Sequence, residues 1–194
     1  MNFLAHIFLS GQPGERMVGN FIADSVKGNE IFRFSPGVQE GIKLHRFIDS
    51  FTDSHEIPLK TKERLRERYG KYAPVIMDIF YDHFLAVHWN EFSDMNLRQY
   101  ADNSYKFLEQ YFNVFPERSK QFYQYMVKYD ILFNYSKIEG IERVMQGMSR
   151  RARFESGMET SATELVRGYE DYRKEFLAFF PELQKGVLNQ AINI

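Results

Sequence analysis

The chain contains no cysteine. Disulfides, thiolate zinc sites and cysteine nucleophiles are therefore excluded. Any metal must be held by histidine, carboxylate or neutral oxygen, a donor set that suits Mn, Mg, Fe or Zn. An excess of one charge is also missing: 25 Lys and Arg against 26 Asp and Glu leave a formal charge of −1. A general nucleic-acid binder would carry a basic excess, so nucleic acid is not an expected partner. No apolar run approaches the roughly 18 residues of a membrane span, and no membrane insertion is expected. The opening MNFLAHIFLS is apolar but short, lacks a basic leader and soon meets Glu15 and Arg16. It reads as a core segment and not as a signal peptide, which makes the cytoplasm the expected compartment. No alternating strand pattern persists, no segment is low in complexity and no long internal repeat is visible.

What is present is helical periodicity. The spacing predicts helices over about 15–27, 38–55, 59–69, 74–89, 96–115, 117–133, 137–153 and 161–180, after a short apolar segment at 2–9. Gly70, Pro116, Gly157 and Pro181 are the expected breaks. The expected fold is a single all-α bundle over residues 1–194, with a putative site in 1–90 and an aromatic-rich packing half in 91–194. The segment Pro74 to Trp89 is apolar nearly all round the helical wheel, as a buried helix is. It nevertheless carries Asp78 and Asp82, four residues apart on one face, together with His83 and His88. A buried carboxylate needs a cation, an arginine or a metal opposite it.

Candidate partners for those acids lie nearby in sequence. His6, Asp24, and His45 with Asp49 and Asp53 each sit among apolar residues, and all five histidines fall in the first half of the chain. His45 and Asp49 have the i, i+4 spacing by which one helix supplies two metal ligands. A divalent ion held by such groups lowers the pKa of bound water and yields a nucleophile near neutral pH. His83, with an ordinary pKa of about 6.5, suits general acid–base work. Each residue also has a plainer reading. His45, Asp49 and Asp53 equally describe a solvated helix face; Asp24 could pair with Arg46; His6 could be a core histidine bonded to a carbonyl. The basic helix carrying Lys60, Arg64 and Arg68, and the cluster Arg150 with Arg151, are either solvated faces or sites for phosphate or an acidic partner.

NFLAH at 2–6, GNFIADSVKG at 19–28, LHRFIDSFTDSH at 44–55 and YDHFLAVHW at 81–89 together resemble the acyl carrier protein phosphodiesterases. The resemblance covers roughly the first half of the chain. It implies hydrolysis of the phosphodiester between 4′-phosphopantetheine and a serine of acyl carrier protein. It also implies an HD-like all-α fold and a divalent ion, manganese first, with Mg2+ or Fe2+ as alternatives. The adjacent His-Asp pair of the wider HD superfamily is absent, and only the reversed pair Asp82-His83 occurs. On this footing Asp24, His45, Asp49 and Asp82 are the expected metal ligands. His83 and His6 are expected to serve catalysis, and Arg46 to neutralise phosphoryl charge. Asp78 and Asp53 are expected to orient the ligands. Lys60, Arg64, Arg68, Arg150 and Arg151 are expected to dock the carrier protein. A related phosphohydrolase acting on a nucleotide or another small phosphodiester, and a non-enzymatic helical binding module, are the competing readings.

Overall fold

A computed structural model of the chain describes residues 1–192. Among them it is all-α, with no strand. The helices are α1 (Phe3–Leu9), α2 (Glu15–Ile22), α3 (Pro36–Ser54), α4 (Glu56–Tyr69), α5 (Ala73–Val87), α6 (Trp89–Phe92), α7 (Leu97–Glu109), α8 (Glu117–Lys128), α9 (Ile131–Asn134), α10 (Ile138–Arg151), α11 (Ser161–Arg167) and α12 (Tyr169–Ile192). Short 3-10 turns join several of them, including Ala23–Ser25 after α2.

Helix α5 is the axis. Every residue from Ile79 to Ala86 is buried, and α1, α4, α10 and α12 pack around it. Each fully buried Phe or Leu contributes about 1.5–3 kcal/mol, so Phe80, Phe84 and Leu85 tie α5 firmly to its neighbours. The core it belongs to is one continuous cluster from Met1 to Val187.

Helices α2 and α3 cross with their backbones in contact. A Cβ on Gly19 would lie 1.9 Å from the Val38 carbonyl oxygen, and one on Gly41 would lie 2.1 Å from that of Arg16. Only glycine permits this approach at either position. The crossing sets Asn20, next to Gly19, against His45, one turn beyond Gly41.

Several breaks fall elsewhere than expected. The segment 117–133 divides at Asp130, whose φ of 48° is left-handed, a conformation that Asp tolerates better than most residues. The last helix does not stop at Pro181, which lies inside α12. Proline in a helix interior costs about 3 kcal/mol, but Phe176, Phe179, Phe180 and Leu183 around it are fully buried and offset that cost. Gly70, with φ 52°, does end α4.

Candidate metal centre and its cavity

The two acids on α5 face the start of the chain. Asp82 is fully buried, and its oxygens accept the N–H groups of Asn2 at 3.1 Å, Leu4 at 2.7 Å and Ala5 at 3.3 Å. The Phe3 N–H donates to Asn2 Oδ1 and the His6 N–H to the Asn2 carbonyl. Every N–H of the first turn of α1 therefore has an acceptor, which a helix terminus otherwise lacks. Asp78 accepts from the Met1 ammonium at 2.9 Å. Burial raises the Asp82 carboxyl to about 7, against the pull of the N-terminal ammonium and the three amides.

Helix α1, so anchored, presents His6. Its ring stacks on that of His45 from α3, with centroids 4.1 Å apart. Asn20 of α2 sits behind both. Its Nδ2 donates to the His6 carbonyl at 2.8 Å and to Ser10 Oγ at 2.9 Å, so its Oδ1 must be the atom turned to the rings. Oδ1 lies 2.8 Å from His6 Nδ1 and 3.1 Å from His45 Nδ1. The Asn20 carbonyl oxygen is a further acceptor, 3.0 Å from His45 Nδ1. This network assigns a proton to Nδ1 of both histidines and leaves both Nε2 atoms facing outward.

Carboxylates meet them there. Asp49 places Oδ1 3.2 Å from His6 Nε2 and Oδ2 3.1 Å from His45 Nε2. Asp24, on the turn after α2, places Oδ1 3.3 Å from the same His45 nitrogen. Burial drives the His6 imidazole down to about 4, leaving it neutral. Burial would also lower His45, but its hydrogen bonds to Asp24 and Asp49 outweigh that and raise it to about 9. Burial opposes ionisation of Asp49 too, yet the hydrogen bond from His45 above all holds its carboxyl far below the ordinary range.

A conflict follows. Neutral His6 spends its one proton on Asn20, so its Nε2 lone pair points at an Asp49 oxygen 3.2 Å away. Two acceptors at that distance repel unless a cation lies between them. The ligand atoms of His6, His45 and Asp49 all fall within 4.8 Å of one another, so one ion can touch all three. Two imidazole nitrogens and carboxylate oxygen form a donor set for a divalent metal, and Asn20 supplies the outer hydrogen bond that such imidazoles require.

The cluster lies on the wall of a cavity of about 920 Å³. The second half of the chain contributes Phe122, Tyr125, Val144 and Met148 to the lining, with Arg118 and Arg151.

Of the expected site residues, the structure gathers His6, Asp24, His45 and Asp49. Asp53, Asp78 and Arg151 line the same cavity, and the rest lie elsewhere. Asp82 caps α1 instead of meeting the imidazoles. His83 is buried, with Nδ1 2.7 Å from the Tyr135 carbonyl and Nε2 3.1 Å from the Tyr169 hydroxyl, and it does not line the cavity. Arg46 is exposed and likewise outside the lining. Asp53 pairs with Lys62 at 3.0 Å. On α4, Arg64 pairs with Glu175 at 2.7 Å and covers the Tyr172 ring, and Arg68 lies 3.9 Å from Glu164. Lys60 is exposed, and no α4 residue lines the cavity. Arg150 is exposed next to Arg151, which does line it. Asn20 carries no sequence signal beyond its i, i+4 spacing from Asp24 on the helix expected over 15–27, which ends in the structure at Ile22.

An all-α bundle with two imidazoles and a carboxylate converging on a cavity wall defines a class of protein that can hold a divalent metal where a substrate reaches it. The family profile for acyl carrier protein phosphodiesterase matches residues 1–183, and the chain belongs to that family. Similar proteins bear the same description. One from Photorhabdus laumondii is 28% identical over 191 residues, covering 98% of this chain and 96% of the relative. One from Salmonella paratyphi A is 30% identical over 193 residues, covering 99% and 100%. One from Escherichia coli is 31% identical over 197 residues, again covering 99% and 100%. No solved structure matches the chain. No described helix is long and apolar enough to cross a membrane.

Proposed function

We propose that the chain hydrolyses the phosphodiester joining 4′-phosphopantetheine to a serine of acyl carrier protein, releasing the apo-protein, with a divalent ion at His6, His45 and Asp49. The observation that carries this reading is the convergence of His6, His45 and Asp49, whose ligand atoms lie within 4.8 Å of one another on the wall of the cavity. The family to which the chain belongs supplies acyl carrier protein as the substrate. Manganese is the ion the family resemblance implies, and nitrogen and oxygen donors with no thiolate in the chain admit it alongside Mg, Fe or Zn. When bound, such an ion acts as a Lewis acid and lowers the pKa of coordinated water.

The chain's own residues supply the rest. Asn20 fixes both imidazoles as Nδ1–H tautomers, so their Nε2 lone pairs stay directed into the cavity. Asp24, 64% exposed at its side chain and 3.3 Å from His45 Nε2, is the carboxylate placed to complete the donor set. The apolar wall from α8 and α10 excludes water from one side of the cavity and offers a surface for the pantetheine arm. Asp82 and Asp78 serve at one remove, by holding α1 and therefore His6. The reading also supports the HD-like assignment of the fold, with ligands drawn from separate helices, and a cytoplasmic setting.

The test is substitution of the ligands. His45→Ala and Asp49→Ala should each lower manganese-dependent turnover of holo acyl carrier protein by about a thousandfold or more, with the helical circular dichroism unchanged. Turnover within tenfold of the unsubstituted chain would remove the metal centre from the reaction.

A further inference from the structure

Four carboxylates line the cavity on the metal side, Asp24 and Asp49 together with Asp53 and Asp78, the last two paired with Lys62 and the Met1 ammonium. Such a wall repels a phosphodiester, which is itself an anion. Apart from histidine, the basic side chains lining the cavity are Arg118 and Arg151. Neither has a carboxylate partner among the described residues, whereas Lys62, Arg64 and Arg68 all do. Their environments are also specific. Arg118 precedes Ser119, whose hydroxyl donates to Ser25 Oγ at 2.8 Å, so the start of α8 is fastened beside Asp24. Arg151 lies over the Tyr125 ring, 5.4 Å from its centroid. Gly147 makes that seat: a Cβ there would fall 2.9 Å from the Tyr125 hydroxyl and 3.6 Å from Arg151 Nη1. A guanidinium stacked on a ring keeps its planar fork of N–H donors free for an oxyanion.

We infer that Arg118 and Arg151 bind the non-bridging oxygens of the substrate's phosphodiester from the part of the cavity lining that α8 and α10 contribute. They take the role that sequence proximity had suggested for Arg46. The inference rests on the phosphodiesterase reading above and names the groups that recognise the substrate's anion. It moves Arg151 from carrier-protein docking to phosphate binding.

The experiment uses the full chain loaded with Mn2+, with inorganic phosphate as probe. Two readouts are taken for Arg118→Gln, Arg151→Gln and Arg151→Lys: the inhibition constant of phosphate against holo acyl carrier protein turnover, and the thermal stabilisation given by phosphate. Each glutamine variant should raise the inhibition constant and lower kcat/KM by about 10- to 100-fold, the loss of a hydrogen bond to a charged group. Bound manganese should be unchanged. Arg151→Lys should recover only part of the loss, because an ammonium lacks the fork. Phosphate inhibition and kcat/KM within twofold of the unsubstituted chain would overturn the inference while leaving the metal reading standing. If the unsubstituted chain fails to cleave holo acyl carrier protein at all, the phosphodiesterase reading falls. The arginines are then judged by thermal stabilisation alone, which should be present in the unsubstituted chain and lost in both glutamine variants; equal stabilisation would overturn the inference.

Discussion

A histidine offers a metal only the nitrogen that its other hydrogen bond leaves free. Asn20 makes that choice for two rings at once, because its own amide is spent on the His6 carbonyl and Ser10. Asn20→Ala should therefore weaken manganese binding by about 10- to 100-fold, the usual loss when such an outer partner is removed. Titration of Mn2+ against the folded variant checks this, and affinity within twofold would show that the rings hold their orientation without Asn20. Protons compete for the same site. In the metal-free chain His45 is raised to about 9 from its ordinary 6.5. Its contribution to stability is then complete below pH 6.5 and is lost as pH rises through 9. The stability difference between the unsubstituted chain and His45→Gln, measured by urea unfolding without metal, should shrink steadily across that window. A constant difference would place the proton elsewhere.

At the scale of elements, α5 holds α1 by its polar face. Asp82→Asn keeps an acceptor but sets an NH2 among three backbone donors. It should cost about 1–3 kcal/mol of unfolding free energy, the penalty of an unsatisfied buried group. Manganese affinity below the transition should stay within a few-fold. Urea unfolding together with Mn2+ titration separates this anchoring role from a ligand's role, in which affinity would collapse. The contrast also shows how far the sequence could be read. Helical periodicity located most of the elements, and the meeting of His45 and Asp49 was legible from their i, i+4 spacing on one face of α3. Residues adjacent in sequence misled for the same geometric reason. Arg46 and His83 each stand about 100° round the helix from His45 and Asp82, so each faces other neighbours. The need of Asp82 for a partner was legible, but not that the partner was the first turn of α1, almost 80 residues away. Arg118 was beyond reach because only the crossing of α8 over the turn Ala23–Ser25 brings it to the cavity.

The whole molecule joins two halves of unlike composition around one cavity. The first half provides the proposed metal ligands, their outer hydrogen bonds and four carboxylates of the lining. The second provides the aromatic wall, with Arg118 and Arg151. Helix α4, basic in sequence, is tied by Arg64 and Arg68 to the carboxylates of α12 and α11. The central claim, that the cluster of His6, His45 and Asp49 runs the hydrolysis through a divalent ion, has a direct test. Holo acyl carrier protein is incubated with the chelator-stripped chain, with and without Mn2+, and its intact mass is measured. Loss of the mass of 4′-phosphopantetheine with Mn2+ and no loss without it is the predicted result. Equal release in both, or release in neither, would contradict the account.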